Sequence, residues 1–323
     1  MKGLLIAVVI LLSSCAGTRA QYQQVGDRSI GPEAVWHPPA SFRERVIERC
    51  SSSKVQDLGK CFVSVMNSYN AAAQATAFTE RIGNTGYMRG FRESGVVDVA
   101  FVEYPFRANE NFGCLLVNGE PPVIDVDNFD TVRKIDLRKD STFSVLADAF
   151  PKIDIWPGDR WGADCIQPDT LKEGQRFVTT YRLLNGCHAC EMLAFARVAF
   201  DFDASGKFLG TELMKVEAAV EVFNDPGRPV SVTIGRRFAL VLESNRTTGY
   251  RWEPSGPGDP AVIKFIKAEY NEPMTGLAGA WGKEVLTFEV VGKGETEISL
   301  KYIRPWEKDL PPAKAVSFKV NVD

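Results

Sequence analysis

Histidine is nearly absent from this chain, with two in 323 residues, which leaves little room for a histidine-built metal centre or a histidine-dependent catalytic set. Neither sign of charge dominates. Lys and Arg number 38 against 41 Asp and Glu, a net charge of -3, so nothing is basic enough to hold nucleic acid. No Ser/His/Asp set, paired-carboxylate motif or phosphate loop can be defended, and no sequence motif points to an enzyme or a cofactor. Cysteine is missing beyond residue 190, and almost no helix signal follows Pro229. What is present is the composition of a globular protein, 45% apolar and 24% charged.

Met1-Lys2 and the apolar run Leu4 to Leu12 have the charge and length of a secretory signal and are too short to span a bilayer. A buried N-terminal helix is the alternative, and it fits the pattern less well. The run ends in Leu12-Ser13-Ser14-Cys15, which resembles the lipobox of bacterial lipoproteins. That resemblance implies removal of residues 1–14 and lipidation of Cys15, with more than one acyl chain giving durable membrane anchoring. Ala16 stands where an Asp would suggest inner-membrane retention, so the expected location is the outer membrane of a bacterial envelope, facing periplasm or surface. Residues 15–40, rich in Gln, Gly and Pro, read as a tether. The remainder is long enough for about two domains.

Cys50, Cys61, Cys114, Cys165, Cys187 and Cys190 are an even number in a compartment that permits disulfides. Six cysteines allow 15 pairings, but locality suggests two. Ser41 with Glu44 and Ser53 with Gln56 form capping-box patterns ahead of apolar residues at helical spacing, predicting two short helices that a Cys50–Cys61 bridge would pin. Cys187 and Cys190 flank an apparent hairpin tip, leaving Cys114 with Cys165. Cys187-His188-Ala189-Cys190 also invites redox or metal readings. Both flanks look like strands, and His37 is the only other histidine, so a structural disulfide is favoured.

Residues 41–223 read as an α+β domain of unrecognised function, a helical hairpin followed by an antiparallel sheet. Strand patterns run over Val96–Tyr104, around the hairpin dipeptide Asn118-Gly119, and over Arg176–Leu184, Met192–Asp203 and Lys207–Val216, with one more helix at Ser141–Phe150. Asp201, Asp203, Ser205, Gly206 and Glu212 match the ligand spacing of an EF-hand loop. They lack the flanking helices, and a hairpin turn accounts for them without metal. Asn84-Thr85-Gly86-Tyr87 echoes a later stretch, but nothing after it extends the likeness.

The breakers in 224–229 mark a linker, and residues 230–323 change character. Short strand patterns at Val230–Ile234, Phe238–Leu242, Val262–Tyr270, Val285–Val291, Thr296–Tyr302 and Ala315–Val322 predict an all-β, immunoglobulin-like sandwich. Leu286, Phe288 and Val290 alternate, as do Ile298, Leu300 and Tyr302, each set turned to a common core. Three loops stand out: Asn245-Arg-Thr-Thr-Gly-Tyr250, the Gly-rich Gly276–Gly282, and Arg304-Pro305-Trp306. In this order they resemble the chagasin family of cysteine-protease inhibitors, whose motifs are Asn-Pro-Thr-Thr-Gly-aromatic, Gly-X-Gly-Gly and Arg-Pro-Trp. The resemblance covers residues 230–323 only.

The resemblance implies a three-loop wedge against a papain-like cysteine protease. Asn245, Arg246, Thr247, Thr248, Gly249 and Tyr250 would form the central loop, with Thr247 to Gly249 nearest the catalytic Cys and His of the enzyme. Gly279 and Gly282 would flank one side of the cleft, and Arg304, Pro305 and Trp306 the other. Trp252 is expected in the core, Tyr250 in the core or at the contact, and Arg304 either touching a partner or bonding loop carbonyls. Two residues depart from the family pattern. Arg246 replaces the proline, which predicts a looser loop by about 0.4 to 1 kcal/mol or a guanidinium aimed at an acid on the target. Trp281 fills the third place of the Gly-rich motif, where it would be strained if that place needs positive φ. Inhibition leads because two threonines at this tip have no evident structural need. The rival is a non-inhibitory envelope binding module on the same sandwich.

Overall fold

The computed structural model describes residues 30–51, 57–83, 86–107, 111–157, 165–273, 279–307 and 309–323. The leader, Cys15, Asn84-Thr85 and Gly276 lie outside the described residues. The segment expected as a tether is packed from its described start. Ile30 and Ala34 are buried, the backbone of Ile30 exchanges hydrogen bonds with the Asn118 side chain, and the Trp36 amide donates to the Met88 carbonyl.

Three helices follow: α1 (Ser41–Cys50), α2 (Leu58–Ser68) and α3 (Ala73–Arg81). Phe42, Val46 and Cys50 share one face of α1, and Phe62, Val65 and Met66 one face of α2, as a 3.6-residue period requires. Neither expected capping box governs these starts. Ser41 is already helical, behind an Ala40 cap that makes no side-chain bond. The second pair, Ser53 and Gln56, lies outside the described residues, and α2 is capped by Asp57, whose carboxylate accepts from the Lys60 amide at 3.0 Å. The Cys50–Cys61 disulfide joins α1 to α2, and Cys114–Cys165 and Cys187–Cys190 are also bonded.

A first antiparallel sheet, β1 (Tyr87–Arg92), β2 (Asp98–Glu103), β3 (Phe112–Val117) and β4 (Val123–Asp125), is ordered β1-β2-β3-β4. One face carries Met88, Ala100, Val102, Leu115 and Val117 against α3 and residues 30–35. The other, with Val99, Cys114 and Leu116, joins the core of a second sheet. The Asn118-Gly119 hairpin forms, but across residues 118–122, with the Asn118 amide donating to the Pro122 carbonyl. After α4 (Phe129–Val132) and α5 (Ser141–Ala149) comes the second sheet. It comprises β5 (Ile153–Trp156), β6 (Gln167–Asp169), β7 (Gln175–Asn185), β8 (Met192–Phe202) and β9 (Phe208–Ala218), ordered β5-β7-β8-β9 with β6 beside β7. Asp140 caps α5 through the Thr142 and Phe143 amides and also accepts the Val216 amide of β9.

The C-terminal part is two facing four-stranded sheets. One is β10 (Val220–Phe223), β12 (Arg237–Ser244), β15 (Gly282–Val290) and β14 (Ile263–Asn271), in the order β10-β12-β15-β14. The other is β11 (Val230–Val232), β17 (Lys314–Val322), β16 (Gly294–Ile303) and β13 (Arg251–Gly256), in the order β11-β17-β16-β13. Phe238, Leu240, Leu286 and Phe288 from one sheet meet Trp252, Ile298, Leu300 and Phe318 from the other. Strand β10 lies before the 224–229 breakers yet pairs in parallel with β12, so this sheet begins on the far side of the expected linker.

The other face of the β10-β12-β15-β14 sheet is covered by the N-terminal part. Val220, Ala239, Val241 and Val285 belong to the same buried cluster as Phe143, Leu146, Ala196 and Val198. Polar bonds border this seam. Lys283 pairs with Asp148, Asn271 Nδ2 donates to the Ala149 carbonyl at 2.7 Å, and Glu191 receives Lys267 at 2.9 Å and Arg237 at 3.8 Å.

Candidate functional site

Strand register fixes where the three loops meet. Ser244 at the end of β12 is paired with Gly282 at the start of β15, and Arg251 at the start of β13 with Ile303 at the end of β16. Residues 245–250, 279–281 and 304–306 therefore leave their strands at one end of the two-sheet stack.

The central loop is a single closed turn. Residues Arg246–Thr248 form a 3-10 turn capped by Asn245 and ended by Gly249 at φ 81°. The Asn245 Oδ1 accepts the Thr247 hydroxyl at 2.6 Å and the Thr247 amide at 3.2 Å, while the Asn245 carbonyl accepts the Thr248 hydroxyl at 2.6 Å. Both threonines thus serve the turn itself, and the expectation that two threonines have no structural need is overturned: side-chain oxygens this close to the backbone replace bonds that a tight turn leaves unmade. Asn245 is only 6% exposed. Its amide donates to the Tyr302 hydroxyl at 2.9 Å and its Nδ2 to the Gly279 carbonyl at 2.9 Å, so it ties the central loop to both neighbours.

Arg246 does not leave the loop loose. Its guanidinium bonds Glu284 Oε1 at 2.8 Å and lies 4.9 Å from the Tyr270 ring centre. The other oxygen of Glu284 accepts the Trp252 amide at 2.9 Å. Glu284 is 1% exposed, so the ion pair compensates a carboxylate that would be costly to bury alone. The order that proline would supply through φ comes instead from a charge pair between residues 38 apart in sequence.

Arg304 takes the supporting role. Its Nε donates to the Thr248 carbonyl at 3.0 Å, its Nη1 to Glu307 at 3.0 Å, and its guanidinium lies 4.5 Å from the Tyr250 ring centre. Tyr250 is half-buried and stacks on Tyr302 at 5.1 Å, which in turn touches Trp252, 5% exposed and in the core. Pro305 is half-buried. The Trp306 ring covers Gly249 so closely that a Cβ there would strike it, yet Trp306 remains 65% exposed. Gly249 is thus required twice, by its φ and by this contact.

Gly279 is exposed at φ 80°, and Gly282 is buried where a Cβ would meet the Asn271 carbonyl and the Tyr270 ring. Trp281 between them has no positive φ, so the expected strain is not there; it is 50% exposed with the Lys314 ammonium 5.2 Å from its ring centre. The exposed tip of the cluster is Arg246, Thr247, Thr248, Gly279, Trp281 and Trp306, whereas Asn245, Gly282 and Arg304 hold it in shape. Sequence reasoning missed Glu284, Tyr302 and Tyr270. For Glu284 a signal existed: it shares the inward parity of Leu286, Phe288 and Val290, and an acid at such a position demands a partner.

The other singled-out residues lie elsewhere and are engaged. Arg176 bonds Asp201 at 2.7 Å and Glu212 at 2.5 Å, and Asp203 closes its hairpin turn by accepting the Ser205 and Lys207 amides. Arg176 therefore pairs with the first and last acids of the spacing that resembled a calcium loop. Among the described residues no group of three or more His, Cys, Asp or Glu could hold a metal ion. Among the described residues, too, no helix is long and apolar enough to cross a membrane.

Comparison with known proteins gives the tip a context. Residues 231–322 match the model of the chagasin family peptidase inhibitors. Chagasin of Trypanosoma cruzi is 32% identical over 83 residues, covering 25% of this chain and 76% of that protein. Amoebiasin-2 of Entamoeba histolytica is 31% identical over 83 residues, covering 25% of this chain and 66% of its own. A solved structure of PbICP-C in complex with falcipain-2 aligns at 19% identity and a TM-score of 0.23, over 32% of this chain and 87% of that one.

Proposed function

The chain belongs, through residues 231–322, to the chagasin family of peptidase inhibitors, and from that premise we propose that it inhibits papain-like cysteine proteases by seating its three-loop tip in the active-site cleft. The observation that carries this reading is the closed turn at residues 246–248, held from below by Asn245 and from the side by Arg304. A protease cleft of this kind cleaves extended backbone. A 3-10 turn whose hydroxyls, amides and carbonyls are bonded internally fills the cleft without offering a peptide in that geometry, and its rigidity spares the ordering cost of binding. Thr247, Thr248 and Gly249 enter the cleft. Trp306 on one side and Trp281 on the other supply the large, exposed aromatic surface that dominates interface energetics.

The immunoglobulin-like character of the two-sheet stack belongs to the same reading, as does a division into an N-terminal domain and this inhibitor domain. Cys15, lipidated after removal of residues 1–14, tethers the inhibitor to the bacterial outer membrane. Cys15→Ala is expected to move the protein from the membrane to the soluble fraction, and continued membrane retention would contradict the anchor.

Titration of active-site-counted papain with the full chain tests the inhibitory reading. Activity is expected to fall linearly to zero at one equivalent, with a serine protease untouched. Undiminished activity across several papain-like enzymes would leave the tip as a non-inhibitory binding surface.

A further inference from the structure

The inhibitor part is not presented alone. Helix α5 and the turn before it lie beside the loop that carries Trp281, and between them runs a groove of about 490 Å³. Arg138, Phe143 and Ala147 form its wall on the N-terminal part, and Asn271, Trp281 and Lys283 the wall on the inhibitor part. The walls are fastened: Lys283 pairs with Asp148, and Asn271 Nδ2 donates to the Ala149 carbonyl. The groove is also continuous with the tip, because the Gly279 carbonyl is bonded to the Asn245 side chain and Trp281 follows two residues later.

Resting on the inhibitory reading above, we propose that this groove is a second contact surface for the same protease, with Arg138 as its specificity-determining residue. A protease that admits Thr247 to Gly249 into its cleft must bring the rim of that cleft against Trp281, and beyond Trp281 the next surface it meets is α5. The groove takes an apolar rim side chain between Trp281 and Phe143, flanked by a carboxylate that meets the guanidinium of Arg138. Arg138 is suited to this because it is exposed, has Lys139 beside it, and among the described residues makes no ion pair. Glu272 on the opposite lip repels a rim that places its acid on the wrong side. The N-terminal part therefore selects among papain-like proteases that the three loops alone would accept equally.

The test is the inhibition constant of the full chain against papain-like proteases that differ in rim charge, at low and high salt. Arg138→Glu is expected to weaken inhibition of acidic-rimmed enzymes about tenfold at low salt, mainly through association, with the difference shrinking as salt rises. Arg138→Lys should retain most of the wild-type value. The site is exposed, so melting temperature should not move, which separates contact from folding. Equal inhibition by wild type and Arg138→Glu of every enzyme at both salts would overturn the proposal while leaving the three-loop reading intact. Failure of the unaltered chain to inhibit any of them would instead remove the inhibitory reading, and this inference with it.

Discussion

The two sheets of the C-terminal stack differ in how many faces they bury. In the β11-β17-β16-β13 sheet, Ile298, Leu300 and Tyr302 point inward and Glu297, Ser299 and Lys301 outward, and β17 alternates in the same way. In the β10-β12-β15-β14 sheet, Phe238, Leu240 and Leu242 face the stack while Ala239 and Val241 are also buried, beneath the N-terminal part. One sheet reads as polar and apolar in turn, the other as the unbroken run Phe238 to Leu242. A strand buried on both faces needs apolar residues at every position, so the run itself records that something covers the second face.

The comparison is broken most directly by placing a charge on each outer face. Val285→Lys should cost about 4 kcal/mol or prevent folding, because Val285 is fully buried beneath the N-terminal part and an ammonium there is cut off from water. Ser317→Lys, on the outer face of β17, should stay within about 0.5 kcal/mol; urea denaturation followed by tryptophan fluorescence measures both. Similar costs at the two positions would refute the asymmetry.

A smaller effect is expected where the two sheets meet the tip. Glu284→Ala strands Arg246 and the Trp252 amide and should cost about 2 to 4 kcal/mol, whereas Arg246→Ala removes a guanidinium that is itself about half-exposed, leaves Glu284 bonded to the Trp252 amide, and should cost about 1 to 3 kcal/mol. The double variant should cost less than the sum of the two single variants, since the pair is one unit. Next in size is the edge strand. A fragment beginning at Ala219 should exceed one beginning at Val230 by about 1 kcal/mol, the worth of packing Phe223 against Phe238 beside β12, since Val220 loses its N-terminal partners once that part is removed. Equal stability of the two fragments would show that β10 contributes nothing to the inhibitor part. Smallest is the Asp148–Lys283 bridge, with Asp148 70% exposed. Asp148→Ala should lower stability by at most about 0.5 kcal/mol and less at high salt, because the seam is held by Val241, Val285 and their neighbours rather than by this pair.

Six of the seven strands from β11 onward were legible from apolar alternation. β13 was not, because Arg-Trp-Glu-Pro-Ser-Gly offers one large apolar residue, and it forms a strand only because Trp252 and its neighbours pair with Lys301 to Ile303. The tip residues were legible as three short motifs, but their division of labour was not. Asn245 looks like a contact residue in sequence and Arg304 like either a contact or a support; both bond across loops, to the carbonyls of Gly279 and Thr248, which no local pattern reveals. The pairing of Arg246 with Glu284 was out of reach for the same reason. In the N-terminal part Cys50–Cys61 and Cys187–Cys190 followed from locality, and Cys114–Cys165, 51 residues apart, only as the remainder. The packing of residues 30–36 did not, because Ile30 and Ala34 sit in a stretch without periodicity and are ordered by Asn118, 88 residues from Ile30. The polar border of the seam joins Asp148, Ala149 and Glu191 on one side to Asn271, Lys267 and Lys283 on the other, scattered positions that carry no pattern.

The central claim is that the closed turn at residues 246–248 occupies the cleft of a papain-like protease. Its most direct test is the rate at which iodoacetamide alkylates the catalytic cysteine of papain, free and with an equivalent of the full chain. The account predicts that the chain protects the thiol, that protection is lost when Thr247 to Gly249 are replaced by a neutral turn, and that the chain is recovered uncleaved. Alkylation at the same rate in both cases, or protection that survives replacement of the turn, would contradict it.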